Sequence, residues 1–454
     1  MSFQSVNPTT GEVLETFEGT APDAMARILE RADVASREWR RRPAAERAER
    51  LRAAGRVLRE RKEAYARTMA LEMGKPLAQG VGEAEKCAWV CDYYAEHGAA
   101  FLADEPRATD ASRSYVRFEA LGPVLAIMPW NFPFWQVFRF AAPALVAGNA
   151  GILKHAPNVP RCALEIESVF RDAGFPDGLF RAVFLSNEGA GGVIADERVR
   201  AVTLTGSDRA GRQVAEQAGR HLKKTVLELG GSDPFVVLED ADLVRAATTA
   251  ADARLVNSGQ SCIAAKRFIV VEPVAKRFLE RFTSELRART VGDPLDPATQ
   301  VGPQARLDLR ATLHRQVLES VKRGARLVLG GELPSGPGAF YPPTVLVAVQ
   351  PGSPAFDQET FGPVAAVIYA KDEGDAIRIA NASPYGLGAS VWTADTSRGE
   401  RVAREIEAGS VFVNGLVKSD PRLPFGGVKR SGYGRELSEY GLREFVNVKT
   451  VWVA

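Results

Sequence analysis

Val124-Leu125-Ala126-Ile127-Met128 is a short apolar run, and from Gly122 onward others like it alternate with helical segments. Ala150-Gly151-Ile152-Leu153-Lys154 and Ala201-Val202-Thr203-Leu204-Thr205 are two of them. A strand covered on both faces has no polar side to show, so it reads as a continuous apolar run rather than an alternation. Such runs separated by helical stretches are the pattern of a parallel sheet with crossover helices. A second series follows Gly231, with Pro234–Leu238, Arg267–Val271, Val364–Tyr369 and Ser410–Asn414, and predicts a second α/β unit.

The N-terminal part reads differently. Pro22-Asp23 opens a helical pattern reaching about Trp39, Pro43 opens another running to Met73, and Gly74-Lys75-Pro76 supplies a stop. A third helical stretch covers about Gly80 to Phe101. Ser114–Glu119 alternates like an exposed strand, and Val446–Val453 is strand-like but stands apart from the second series.

The 454 residues exceed one ordinary core, so two or three packed units are expected. A composition of 45% hydrophobic and 25% charged residues is that of a globular protein, and a net charge of +2 gives no general attraction for nucleic acid or an anionic membrane. The arginine-rich run Arg37 to Arg61 reads as helix with its arginines on the solvated face. Cysteines 87, 91, 162 and 262 show no disulfide or zinc spacing. Cys87 and Cys91 read as small core residues on one helix face, no metal is expected, and a reducing compartment fits. Met1–Ser5 has neither a basic nor an apolar leader character, and no run has membrane-spanning length, so a cytoplasmic protein is expected.

Chemistry concentrates in Asn257-Ser258-Gly259-Gln260-Ser261-Cys262, a turn-like stretch after a helical run. A lone cysteine is commonly a buried small hydrophobe; Gly259 and its polar neighbours instead suggest a loop presenting the thiol. Glu228 sits between Leu227 and Leu229 and before Gly230-Gly231, where burial would raise its pKa toward that of a general base. A thiolate can attack an electrophilic carbon, and a carboxylate can activate water for product release. No Gly-x-Gly-x-x-Gly is present. After Ala201–Thr205, however, Gly206-Ser207-Asp208-Arg209-Ala210-Gly211 leads into a helix, and a helix N-terminus can hold pyrophosphate.

These segments, with Trp130-Asn131-Phe132-Pro133, Glu359-Thr360-Phe361-Gly362-Pro363 and Pro424-Phe425-Gly426-Gly427 in the same order, resemble the aldehyde dehydrogenase superfamily over essentially the whole chain from Asn7-Pro8. Val417–Pro424 resembles its short bacterial branch of NAD(P)-dependent succinate semialdehyde dehydrogenases. The resemblance implies an α/β fold with a Rossmann-like dinucleotide-binding domain (1–112 and 122–231), a second α/β catalytic domain (232–430) and a small β oligomerisation flap with the C-terminal tail (113–121 and 431–454). It also implies a homodimer or homotetramer. Cys262 becomes the nucleophile, Glu228 the base, and the Asn131 side chain an oxyanion donor together with the Cys262 amide. NAD or NADP would be held by Trp130, Lys154, Gly206, Ser207, Gly211, Glu359 and Phe361. Otherwise Lys154 is a strand-end charge and Glu359 a loop acid.

Two departures from the family pattern bear on specificity. Pro157 stands where many NAD-preferring relatives carry a glutamate, so nothing acidic repels a 2′-phosphate and either coenzyme is allowed. Arg139 matches a position that holds the distal carboxylate of succinate semialdehyde, with Ser419 as second ligand and Trp135 along the channel. A second arginine used by some members is replaced by Val256, and a structural ion pair is the alternative for Arg139. Trp135 reads equally as core. The function implied is oxidation of succinate semialdehyde to succinate. Another small aldehyde such as glutarate semialdehyde, a CoA-acylating relative, and a non-catalytic homologue are the alternatives; the last two fit poorly with Glu228 and Cys262 both present.

Overall fold

The computed structural model describes residues 2–454. The first of its two large sheets runs in the order Gly432–Tyr433, Lys224–Glu228, Ala201–Thr205, Pro123–Met128, Ala150–His155, Phe180–Val183. All pairs are parallel except the short edge strand Gly432–Tyr433. Every residue of Ala150–His155 and Ala201–Thr205 is buried, which is why their sequences show no alternation.

The chain enters this sheet at its centre, with Pro123–Met128. It builds outward on one side through Ala150–His155 and Phe180–Val183, then returns to lay Ala201–Thr205 on the other side. Where the order reverses, the connections leave in opposite directions and a crevice opens beyond the carboxyl ends of the two strands. Trp130-Asn131 and Gly206-Ser207 follow those two ends, and Glu228 closes the neighbouring strand. The topology therefore gathers residues that are far apart in sequence.

The second sheet has seven strands, ordered Arg326–Leu329, Thr344–Val347, Val364–Ala370, Arg267–Val271, Pro234–Val237, Gly388–Trp392, Ser410–Val413. Only Arg326–Leu329 is antiparallel. Each sheet has its own hydrophobic core. Val446–Val453 pairs antiparallel with Arg113–Ala120, from Val446 opposite Ala120 to Val453 opposite Arg113, and Glu105–Pro106 extends this ribbon. The expected pairing of the tail with residues 114–119 is present, although Gly432–Tyr433 joins the first sheet instead of the ribbon.

Four helices, Pro22–Trp39, Ala44–Glu60, Lys62–Met73 and Leu77–Phe101, cover the first sheet's side of the molecule. Two expectations need correction. The pattern from Pro43 to Met73 is broken at Arg61, whose φ of −117° and ψ of 15° are not helical. The arginine run is not wholly solvated either: Arg47 is buried, donating from Nε to the Val146 carbonyl at 2.8 Å and from Nη1 to that of Arg42 at 2.6 Å. Those carbonyls lie near helix C-termini, where no intrahelical donor remains and a cation is favoured. Cys87 and Cys91 are core residues, as expected. No helix among the described residues is long and apolar enough to cross a membrane.

Candidate active site

Cys262 lies between the helix Leu243–Leu255 and the strand Arg267–Val271. Three consecutive residues ahead of it, Asn257, Ser258 and Gly259, have φ of 51°, 56° and 77°. The left-handed region costs a non-glycine residue on the order of 1–2 kcal/mol, so such a run persists only where neighbours enforce it. Here they do. Asn257 donates from Nδ2 to the carbonyls of Asn131 (2.6 Å) and Gln260 (3.1 Å), and its amide donates to Gln79 Oε1. Ser258 Oγ accepts from the Gly302 amide, Gln260 Oε1 from that of Ala305, and Arg254 Nη2 donates to the Gly259 carbonyl. At Gly259 a Cβ would strike the Gly362 carbonyl, so this position admits glycine on two independent grounds.

Past the thiol, Lys266 Nζ donates to the carbonyls of Ser261, Cys262 and Ala264 at 2.9, 2.7 and 3.2 Å. Its side chain is 1% exposed and faces Glu359 Oε1 at 3.4 Å, and Glu359 also accepts the Gly231 amide at 3.0 Å. Lys266 was not singled out from sequence, because a lysine opening a strand looks like an ordinary boundary charge. Cys262 itself is half-buried, unlike the other three cysteines, which are buried. Burial pushes its thiol up to about 12, with Arg139 and Lys266 pulling the other way.

Asn131 is buried and aimed. Its Oδ1 accepts from Gln136 Nε2 at 3.1 Å, and its Nδ2 donates to the Gln260 carbonyl at 3.1 Å. The amide orientation is thus fixed with its NH₂ toward the cysteine loop.

A cavity of about 550 Å³ opens over Cys262. Phe132, Trp135, Val417 and Phe425 give it apolar walls, while Arg139, Ser419, Gln136 and Lys86 supply polar groups. The helix Trp135–Ala147, which carries Trp135 and Arg139, has its first amides capped from outside: Glu83 Oε1 accepts from both Phe134 N and Trp135 N at 2.9 Å. Glu83 is in turn ion-paired with the buried Lys75. Trp135 satisfies both of its expected roles, being 4% exposed in the core and lining the cavity.

Arg139 reaches the cavity wall but is already engaged. It forms a buried ion pair with Glu436, each side chain 3% exposed; its guanidinium lies over the Phe425 ring at 4.5 Å, and Nη2 donates to Thr205 Oγ1 at 3.4 Å. The structural ion pair that was the alternative for Arg139 is therefore present. Glu436 was not foreseen; Gly434-Arg435-Glu436 carried no local signal of a buried acid.

Glu228 is 3% exposed, and neither carboxylate oxygen has a hydrogen-bond partner among the described residues. Burial, then the nearby Glu436 carboxylate, raise its pKa well above the carboxylate range, against the opposing pull of Arg139 and Arg435. It lies against Gly426, where a Cβ would come within 2.7 Å of Oε1. Glu228 is set back from the cavity that Cys262 lines, and Arg139 acts electrostatically on both.

The crevice at the strand ends holds the remaining expected residues. Beside Gly206 a Cβ would meet only Leu204, at 3.7 Å, leaving room for close approach to the backbone. Ser207 caps the helix Asp208–Arg220, its Oγ accepting from Ala210 N at 3.2 Å. At Gly211 a Cβ would lie 2.6 Å from Leu229, so close packing of the helix against that side chain requires glycine here. Lys154 is buried and its amine is held below its usual value by desolvation. Pro157 is exposed in the following turn, next to Asn158, whose buried amide atoms both lack partners. Trp130 and Phe361 meet edge to face with centroids 5.7 Å apart. A roomy glycine turn at a helix N-terminus, a buried amine and an orphaned amide together fit a dinucleotide.

Comparison with known proteins agrees with this arrangement. The profile of the "Aldehyde dehydrogenase family" matches residues 1–451. The probable succinate-semialdehyde dehydrogenase [NADP(+)] of Synechocystis is 50% identical over 454 residues, covering all of both chains. The succinate semialdehyde dehydrogenase [NAD(P)+] of Escherichia coli is 49% identical over 448 residues, covering 99% of this chain and 97% of its own. The crystal structure of succinic semialdehyde dehydrogenase from Streptococcus pyogenes in complex with NADP+ superposes with a TM-score of 0.97 at 40% identity, covering 99% of each chain. Two doubly wound α/β units, a clamped cysteine loop over a cavity and a full-length match lead to one conclusion: the chain belongs to the aldehyde dehydrogenase family.

Proposed function

We propose that the protein oxidises succinate semialdehyde to succinate with NAD+ or NADP+ as hydride acceptor. The observation that carries this reading is the cavity itself, lined by Cys262, by apolar side chains and by the polar groups of Trp135, Arg139 and Ser419. That lining suits a short aldehyde with a charged tail. The names of the relatives in Synechocystis, Escherichia coli and Streptococcus pyogenes support it. Steady-state rates over C2 to C6 aldehydes, with and without a distal carboxylate, test it; no preference for the carboxylated C4 aldehyde would refute the substrate.

The residues divide the work as follows. Residues 1–112 and 122–231 bind the dinucleotide through Trp130, Lys154, Gly206 and Ser207, with Phe361 reaching in from the second unit; 232–430 carry the thiol, and 113–120 with 446–453 form the assembly ribbon. Cys262 attacks the aldehyde carbon. Asn131 Nδ2 and the Cys262 amide donate to the developing oxyanion, at about 3 kcal/mol for each donor. Bound in the crevice, the dinucleotide would supply the acceptor for the hydride that leaves the former aldehyde carbon, and Cys262 is left holding the thioester. Glu228 then takes a proton from the water that cleaves the thioester and releases succinate. Because burial raises the Glu228 pKa, its basic form grows as pH rises, and deacylation accelerates with it.

Glu228→Gln should lower steady-state turnover by roughly 100-fold while sparing a stoichiometric burst of NAD(P)H, since acylation precedes the lost step. Stopped-flow absorbance at 340 nm reads both; undiminished steady-state turnover would remove Glu228 from this role.

Pro157 offers neither attraction nor repulsion to a 2′-phosphate, so activity with both coenzymes is expected. Pro157→Glu should depress kcat/KM for NADP+ relative to NAD+ by roughly tenfold, because only NADP+ brings a like charge to that turn. An unchanged ratio would show that the turn does not read the 2′ group.

A further inference from the structure

Three cations line the cavity, and they are not equivalent: Arg289 is paired with Asp252 at 2.7 Å. Arg139 is neutralised by Glu436 within the protein. Lys86, from the helix Leu77–Phe101, has no ion-pair partner among the described residues. Its Nζ donates to Ser419 Oγ at 2.8 Å and sits 4.4 Å from the Trp135 ring centroid. Trp135 Nε1 donates to the same Ser419 Oγ at 3.1 Å. An oxygen that accepts two donors has both lone pairs occupied, which leaves its own hydrogen to be given away. The cluster is thus a preformed acceptor site: an ammonium with spare N–H groups and a hydroxyl whose proton has no taker.

The placement is enforced. Glu83, one helical turn before Lys86, is locked by Lys75 and by the amides of Phe134 and Trp135, so the face shared by positions 83 and 86 points into the cavity. An uncompensated ammonium in such a place is costly unless something anionic joins it.

We infer that Lys86, with the Ser419 hydroxyl, receives the distal carboxylate of the substrate. The inference rests on the semialdehyde reading above. It makes Lys86 a specificity-determining residue, although nothing in its own segment marks it as one.

Lys86→Gln should lower kcat/KM for succinate semialdehyde by roughly 50-fold, chiefly through KM, the scale of a lost charged hydrogen bond. Butyraldehyde, of equal length without the charge, should be affected far less, and Lys86→Arg should restore part of the preference. A second readout needs no variant. Burial, then the neighbouring Arg139, push the Lys86 amine down to about 8, while Cys87, Glu83 and Asp420 pull it up. The wild-type preference for succinate semialdehyde over butyraldehyde should therefore fall as pH rises through about 8; the ratio cancels ionisations common to both aldehydes. If the wild-type enzyme shows no preference at all, the semialdehyde reading fails. If it does, and the preference survives both Lys86→Gln and the pH rise, the carboxylate is held elsewhere and this inference fails alone.

Discussion

Cys262→Ala is expected to cut dehydrogenase turnover by roughly 10⁴-fold or more, the scale seen when a covalent nucleophile is removed. No other thiol can take over: Cys87, Cys91 and Cys162 are buried in the core, and burial raises each of them well above the usual thiol range. The loop geometry ahead of position 262 is imposed by Asn257, Gln260 and Lys266, so the variant should keep its fold and its coenzyme binding. Initial rates of NAD(P)H formation, with dinucleotide affinity and thermal midpoint as controls, check this; turnover within tenfold of wild type would exclude Cys262 as nucleophile. A companion result concerns pH. With its thiol pushed up to about 12, Cys262 in the free enzyme should be alkylated by iodoacetamide ever faster as pH rises, with no plateau below about pH 9.

The second large effect is on stability. Arg139→Ala removes the partner of a buried carboxylate, and stranding one charge of such a pair typically costs about 3–5 kcal/mol. Glu436 would also lose the group that holds its pKa down against burial, and its neighbour Glu228 would lose an opposing cation. Turnover of succinate semialdehyde and butyraldehyde should therefore fall together. Arg139→Met combined with Glu436→Leu should recover most of the stability, since a hydrophobic pair carries no desolvation penalty. Unfolding midpoints in urea for wild type, both single variants and the double variant measure the coupling. Independent, additive losses would show that the pair is not a unit.

What could be read from sequence follows from how local each signal is. The buried strands 150–155 and 201–205 announced themselves because burial on both faces leaves a mark on consecutive residues. The motif around Cys262 was equally legible, since its turn chemistry lies within six positions. Ion pairs across the molecule leave no such mark. Arg139 could be placed on the cavity but not matched to Glu436, because nothing in either segment encodes the other. Lys86 was hidden for a related reason: on a helix that is polar at Glu85 and apolar at Cys87, one lysine looks like any surface charge. Gly211 is ambiguous in sequence because glycine is demanded by close ligand approach and by close packing alike, and only the fold reveals how near Leu229 lies.

The left-handed run Asn257-Ser258-Gly259 has a consequence for how the enzyme responds to temperature. Its unfavourable backbone geometry is imposed when the chain folds, by hydrogen bonds with three separate segments, at Gln79, at Asn131 and at Gly302 to Ala305, so it exists before any aldehyde arrives. A loop already ordered has little freedom left to lose on the way to the transition state. Acylation should accordingly show an activation entropy close to zero, with its barrier almost wholly enthalpic. Loosening a single clamp, as in Asn257→Ala, should make that entropy markedly negative before it alters the thermal midpoint.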